Sequence, residues 1–348
     1  MRRITVNAST TYDVVIDKGA IDRVGEYAAE SGLSGKACII SDSNVASLYM
    51  EKVKKSLEEG GFCVEEYVFP AGEASKNFGT YVSILEFLAQ KRISRTDTLF
   101  ALGGGVTGDL TGFCAATYMR GINFVQIPTS LLACVDSSVG GKTGIDLKYG
   151  KNLAGAFYQP KAVFVDPDVL ETLPEEYFAD GMAEVIKYAM IRGEGIDRLI
   201  TEGADTEEII ERCIKIKRDV VCEDEFESGI RKILNFGHTA GHAIEAEADY
   251  TISHGRCVAM GMYIVTNAWE KRGLCKKGTC DILKEMLSMF GLETSCAYPP
   301  KTLCERAKND KKAGGDFVDL VVPDSLGQCH TTKISMDEFL LVLKEGMD

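Results

Sequence analysis

The sequence predicts an α/β domain followed by a mainly helical one. Three observations carry this. Short β-rich runs alternate with amphipathic stretches through the first half. A glycine-rich loop joins a strand pattern to a helix pattern at 98–119. From Pro174 to about Gly291 the pattern is nearly all helical, as in EEIIERCIKIKRDVV and CDILKEMLSMFGL. Alternation of the first kind gives a mostly parallel sheet covered by helices.

In chain order, strands are expected at Ile4–Val6, Tyr12–Ile16, Ala37–Ile40, Cys63–Phe69, Thr98–Leu102, Phe124–Ile127 and Ala162–Val165. Helices are expected near 20–31, 45–60, 78–91 and 106–119. The pattern changes at 172–174, so the domains are set at 1–173 and 174–348. Asp316–Val322 and His330–Ile334 read as a small hairpin before a last helix.

The composition bounds the partners. The 348 residues carry a net charge of −13, which on average repels nucleic acid. The longest apolar run, Cys257–Val265, is far short of a membrane span, and MRRITVNAST lacks the apolar stretch of a signal peptide. Twelve scattered cysteines without a Cys-x-x-Cys pair read as small buried hydrophobes in a reducing cytoplasm. No nucleic acid or membrane partner is expected.

In TLFALGGGVTGDLTGF, Gly103, Gly105 and Gly108 fit G-x-G-x-x-G between a strand and a helix. Glycines there let backbone N–H groups approach a pyrophosphate at a helix N-terminus. The fit to an ordinary dinucleotide site is imperfect. The loop is not on the first strand, and no acid follows at the ribose-binding distance. A tight turn between packed elements is the plain alternative. The second cluster, DSSVGGKTGID, sets Asp136 and Lys142 around a flexible loop. It departs from a P-loop because Asp136 stands where the first glycine belongs.

Three of the four histidines, His238, His242 and His254, fall close together, and the first two share a helix face. This spacing suggests a metal site, with Glu184 in GMAEVIKYAMI as the carboxylate. The zincin H-E-x-x-H is absent, and an intrahelical Glu184–Lys187 ion pair is the bland alternative. Lys142, Lys151, Lys187, Lys217, Arg231 and Lys311–Lys312 lie in apolar or glycine-rich settings of an acidic chain. Together they suggest an anionic, phosphorylated substrate.

Several long strings in one order then carry a resemblance: SDSNV, GGGVTGDLTGF, YMRG, QIPTSLLACVDSSVGGKTGID, GKNLAGAFYQP, GMAEVIKYAMI, RKILNFGHTAGHAIEA and DKK. The chain resembles the 3-dehydroquinate synthase family over nearly its whole length. The resemblance implies a Rossmann-like NAD-binding domain and a helical metal- and substrate-binding domain. It implies an NAD- and zinc- or cobalt-dependent lyase that converts 3-deoxy-D-arabino-heptulosonate 7-phosphate to 3-dehydroquinate and phosphate in the shikimate pathway.

The family pattern puts the metal ligands on Glu184, His238 and His254, which moves His242 from the metal to the substrate. NAD positions fall on Asp42, Asn44, Glu73, Lys76, Gly104, Gly105, Asp109, Thr129, Ser130, Lys142, Lys151, Asn152 and Thr172. Substrate positions fall on Asp136, Lys142, Asn152, Lys187, Lys217, Arg231, Asn235, His242 and one of Lys311 and Lys312. Arg120 looks like the residue passed into a neighbouring subunit's site, which implies a homodimer. Two departures stand out: Ser130 replaces a threonine, and Tyr177, beside Glu176, replaces an acid at the adenosine end. A related sugar-phosphate cyclase and a glycerol-type polyol dehydrogenase are the alternative enzymes, and an inactive NAD-binding protein is the alternative of another class.

Overall fold

The computed structural model describes residues 1–310 and 316–348, so Lys311 and Lys312 lie outside the described residues. The chain divides into two units, Met1–Pro174 with Lys217–Phe226, and Glu175–Ile216 with Glu227–Asp348.

The strands of the first unit are β1 (Arg2–Asn7), β2 (Thr11–Ile16), β3 (Lys36–Asp42), β4 (Cys63–Phe69), β5 (Thr98–Gly103), β6 (Asn123–Pro128), β7 (Lys142–Leu147), β8 (Gly150–Phe157) and β9 (Ala162–Val165). Its helices are α1 (Val24–Glu30), α2 (Ser43–Glu59), α3 (Phe78–Gln90) and α4 (Gly105–Thr117). Seven strands form one sheet in the order β1-β2-β9-β6-β5-β3-β4. Every pairing is parallel except that of the edge strand β1 with β2.

Successive residues of a strand face opposite sides, and the core divides accordingly. Ile39 and Phe100 pack with Val24, Val53 and Leu57 of α1 and α2. Cys38, Ile40 and Leu99 pack on the other side with Ile84, Leu88 and Leu110 of α3 and α4. A sheet buried on both faces requires the near-continuous apolar runs seen in these strands.

The flexible loop expected around Asp136 and Lys142 is more ordered than the glycines suggest. Asp136 sits in a π-turn, Ala133–Ser137, and Lys142 is the first residue of an antiparallel β7–β8 hairpin. Glycine is needed for this pairing: a Cβ on Gly155 would fall 2.1 Å from the Thr143 carbonyl oxygen.

The second unit contains α5 (Glu175–Arg192), α6 (Ile196–Glu202), the first part of α7 (Thr206–Glu223), α8 (His238–Glu247), α9 (His254–Lys271), α10 (Thr279–Ser288), α11 (Pro300–Asp310), the hairpin β10 (Phe317–Ser325) and β11 (Gln328–Ser335), and α12 (Met336–Met347). The expected boundary at 173–174 falls beside the change of unit at Pro174–Glu175, and Lys217–Phe226 groups with the first unit. The contacts explain it. Glu225 accepts from the Ser9 N–H at 2.7 Å and from Gln159 at 2.8 Å, and Cys222 Sγ accepts from the Asn7 N–H. Among the described residues no helix is long and apolar enough to cross a membrane.

Candidate active site

The second unit brings Glu184, His238 and His254 together through close helix packing. A Cβ on Gly261 of α9 would lie 2.1 Å from the Gly237 carbonyl oxygen just before α8. A Cβ on Gly241 would lie 2.9 Å from the Cys257 carbonyl oxygen. Only hydrogen at these points lets α8 and α9 approach so closely. At the start of α9, Gly255 packs equally tightly on Asp180 of α5. Asp180 accepts from Ser253 Oγ at 2.6 Å and from the Arg256 N–H at 3.2 Å. The residue one turn before Glu184 thus anchors the helix start that carries His254.

Both imidazoles face one carboxylate oxygen. Glu184 Oε1 lies 3.7 Å from His238 Nε2 and 3.6 Å from His254 Nε2. His238 Nδ1 is 3.0 Å from the Phe236 carbonyl oxygen, an acceptor that puts the proton on Nδ1 and directs the Nε2 lone pair at the cluster. Burial holds the His238 pKa down at about 3 despite Glu184, so the ring is in the neutral form that ligates. His254 is pushed up to about 10: burial opposes its charge, but hydrogen bonds to Glu184 and Glu245 outweigh it. Two imidazoles and a carboxylate with ligand atoms within 4.8 Å of one another fit a divalent zinc or cobalt ion with coordination left over. A cation would displace the proton that Glu184 and His254 favour between them.

Lys187, one turn beyond Glu184, is ion-paired with it, and both are nearly wholly buried. His242 is exposed, with its ring centroid 5.3 Å from that of His238 and 5.8 Å from that of His254. Arg231 is buried at 1% exposure in the 3-10 turn Ile230–Asn235, and Asn235 at its end donates to Glu227 Oε1 at 2.6 Å.

In the first unit, five of the expected NAD positions meet in one network. Lys76 Nζ donates at 2.6 Å to Asp109 Oδ2 and at 2.6 Å to Asn152 Oδ1. Glu73 Oε1 lies 4.0 Å from Lys76 Nζ and 3.8 Å from Lys151 Nζ. Burial pulls the Lys76 pKa down, but Asp109 and Glu73 outweigh it and hold it above the usual lysine value. Asn152 is held at φ 54° with its N–H on Asp146 Oδ1 at 2.8 Å.

The glycine loop has two jobs. Gly103 and Gly108 are required by packing, since Cβ atoms there would meet Thr107 Oγ1 at 2.4 Å and Gln126 Oε1 at 2.6 Å. Gly104 and Gly105 start α4 with no capping side chain, beside the hydroxyls of Ser130 and Ser137. An uncapped helix N-terminus lined by hydroxyls fits a pyrophosphate. Asp42 already caps α2, accepting from the N–H groups of Asn44 and Val45 at 2.9 and 3.1 Å. Thr129 is buried, its N–H on the Gly103 carbonyl. Thr172 shares a 2.6 Å hydrogen bond with Tyr49 OH.

Asp136 is ion-paired with Lys217. Lys142 is exposed at the start of β7. Arg120 is exposed at φ 67° in the turn after α4. Tyr177 is 52% exposed in the first turn of α5, and Glu176 is exposed beside it. Sequence reading missed Asp146, Asp180, Glu227 and Glu245, which contact Asn152, Ser253, Asn235 and His254 respectively. Two of these had a signal: Asp180 stands four before Glu184 in an apolar run, and Glu245 continues the helix face of His238 and His242.

The family models for the 3-dehydroquinate synthase N-terminal and C-terminal regions match residues 66–180 and 181–313. The 3-dehydroquinate synthase of Clostridium kluyveri is 42% identical over 348 residues, covering 97% of each chain. That of Streptococcus gordonii is 45% identical over 346 residues, covering 96% of this chain and 97% of its own. A crystal structure of 2-deoxy-scyllo-inosose synthase, solved with carbaglucose-6-phosphate, NAD+ and Co2+, superposes with a TM-score of 0.90 at 24% identity, covering 99% of this chain and 100% of that one, a likeness of fold. With both family regions matched in sequence and close relatives along nearly the whole length, the chain belongs to the 3-dehydroquinate synthase family.

Proposed function

We propose that the chain converts 3-deoxy-D-arabino-heptulosonate 7-phosphate to 3-dehydroquinate and phosphate. The observation that carries this reading is the meeting of Glu184, His238 and His254 with a buried lysine, Lys187, one turn away. A metal that only polarised a neutral polyol would not need that cation, nor the further cations Lys142, Lys217 and Arg231.

Glu184, His238 and His254 hold a zinc or cobalt ion, and the cradle of Glu73, Lys76, Gly104, Gly105, Asp109, Ser130, Lys151 and Asn152 holds NAD. When bound, NAD supplies a reversible hydride acceptor, and the ion polarises the hydroxyl that is oxidised. Asp42, Asn44, Thr129 and Thr172 complete the NAD contacts, and Tyr177 leaves the adenosine end without the family's acid.

Lys142, Asn152, one of Lys311 and Lys312, and Arg120 from a second copy in a homodimer grip the substrate phosphate. Lys187, Arg231 and the Asp136–Lys217 pair orient its carboxylate and hydroxyls, the electrostatic contribution usually largest in such sites. Asn235 and His242 move protons as phosphate leaves and the ring closes by an intramolecular aldol step. His242 is the exposed histidine of the three, so it can exchange its proton with solvent between steps. Twelve free cysteines suit a reducing compartment such as the cytoplasm.

The test follows released phosphate and NADH absorbance together, with purified protein, NAD+, zinc and the heptulosonate phosphate. Many turnovers of phosphate without NADH accumulation are expected. Steady NADH from glycerol, with no phosphate released, would replace this reading with a polyol dehydrogenase.

A further inference from the structure

We propose that Glu245 is a positioning residue that holds His254 in the orientation required of a metal ligand. The inference rests on the reading of Glu184, His238 and His254 as the ligand set.

Glu245 is 4% exposed and lies on α8, on the same helix face as His238 and His242. Its Oε2 is 3.5 Å from His254 Nδ1. The opposite ring nitrogen, Nε2, faces Glu184 Oε1 at 3.6 Å. The two carboxylates therefore bracket one imidazole. A proton on Nδ1, directed at Glu245, leaves the Nε2 lone pair for the ion. Outer carboxylates of this kind fix the tautomer and ring angle of a ligating histidine and raise its basicity.

His238 has the same task done differently, by the neutral backbone carbonyl of Phe236. Its orientation comes from the turn before α8. That route is closed to His254, which begins α9 with Ser253 at the cap and Asp180 holding the cap residue. Asp180 sets where the helix starts, and Glu245 sets how the ring turns on it. Buried carboxylates are costly unless they meet a donor, which argues against Glu245 as an incidental core residue.

A competing geometry exists. His242, Glu245 and His254 also have ligand atoms within 4.8 Å of one another. An ion there would make Glu245 a ligand, and would bind His254 through the nitrogen that the proposal protonates.

The test compares Glu245→Gln, Glu245→Asp, His238→Ala and His242→Ala with the parent in full-length protein. Zinc dissociation constants come from chelator competition, geometry from the visible spectrum of the cobalt-loaded protein, and folding from thermal unfolding without metal. Glu245→Gln should still bind one zinc per chain, about 10–100-fold more weakly. Its cobalt bands should shift while keeping the parent's coordination number, and Glu245→Asp should recover part of the affinity. His238→Ala should lose zinc, and His242→Ala should keep it. Unchanged zinc affinity and cobalt spectrum in Glu245→Gln, with zinc lost in His238→Ala, would overturn the positioning role alone. Zinc lost in His242→Ala but kept in His238→Ala would overturn the ligand set itself. Should Glu245→Gln not fold, Glu245→Asp carries the same comparison: affinity and spectrum equal to the parent's would overturn the proposal.

Discussion

Lys217 donates to Asp136 twice, to its carboxylate and, at 2.6 Å, to its backbone carbonyl. The contact spans 81 positions and ties the end of α7 to the π-turn after β6. Replacing Lys217 by Met leaves a largely buried carboxylate without its cation. Breaking one side of such a pair costs about 3 kcal/mol or more. Lys217→Met should therefore lower both stability and turnover, and Asp136→Asn added to it should recover part of the stability but not the activity. Urea unfolding of Lys217→Met, Asp136→Asn and the double variant measures this; a double-variant loss equal to the sum of the two single losses would mean that the pair is not energetically coupled.

His238→Ala should abolish zinc binding and turnover together. It removes one of three donors and leaves Glu184 with one imidazole in a buried setting. Metal content after dialysis is the measurement, and full zinc occupancy in the variant would remove His238 from the ligand set.

Lys76→Met should weaken NAD binding. Lys76 holds Asp109 and Asn152 at 2.6 Å each, so its loss loosens two walls of the cradle at once. Charge-assisted hydrogen bonds contribute about 1.5–3 kcal/mol each to holding the cradle, and if about 1.4 kcal/mol of that goes into re-ordering it around NAD, the dissociation constant rises about tenfold. Calorimetric titration with NAD+ checks it, and unchanged affinity would make the network purely structural.

Much of this was legible in the sequence, for a physical reason. The strands are buried on both faces, so their apolar runs stand out, and the long motif strings carry Glu184, His238 and His254, which meet in one cluster. What was not legible depends on backbone meeting backbone. The β7–β8 hairpin lies in KTGIDLKYGKNLAGAF, whose glycines mimic a loop but serve close pairing. Lys217–Phe226 continues a helical pattern without a break, and only its contacts with Asn7, Ser9, Asp136 and Gln159 assign it to the first unit. Glu245 and Asp180 share helix faces with the expected site residues, but a buried acid on a helix looks like a solvated one until its partner is known.

A stability prediction follows from Asp97, whose carboxylate accepts from the Lys36 N–H at 2.9 Å and the Ser94 N–H at 2.6 Å. Burial raises its pKa, but these bonds outweigh it and hold it below the usual carboxylate value. A lowered folded pKa gives stability that is complete above the unfolded value and is lost as pH falls through the folded one. Asp97→Asn should cost about 1–3 kcal/mol at pH 7, and the gap from the parent should close as the pH drops below about 4. Urea unfolding at several pH values reads this out; a gap that widened in acid would reverse the sign.

Lys142→Met separates substrate binding from folding. Lys142 opens β7 with its side chain exposed, while the hairpin's backbone pairing continues through Thr143, Gly144 and Ile145. Substitution there should leave the melting temperature close to the parent's. The loss should fall on the phosphate, through a raised KM and a lowered kcat, because a cation that holds the phosphate in the ground state also steadies the charge as it leaves. Losing one charged hydrogen bond to a phosphate predicts a fall in kcat/KM on the order of 10–100-fold. If KM and kcat both match the parent's, Lys142 does not touch the substrate, and the phosphate grip must come from Asn152 and the cations elsewhere.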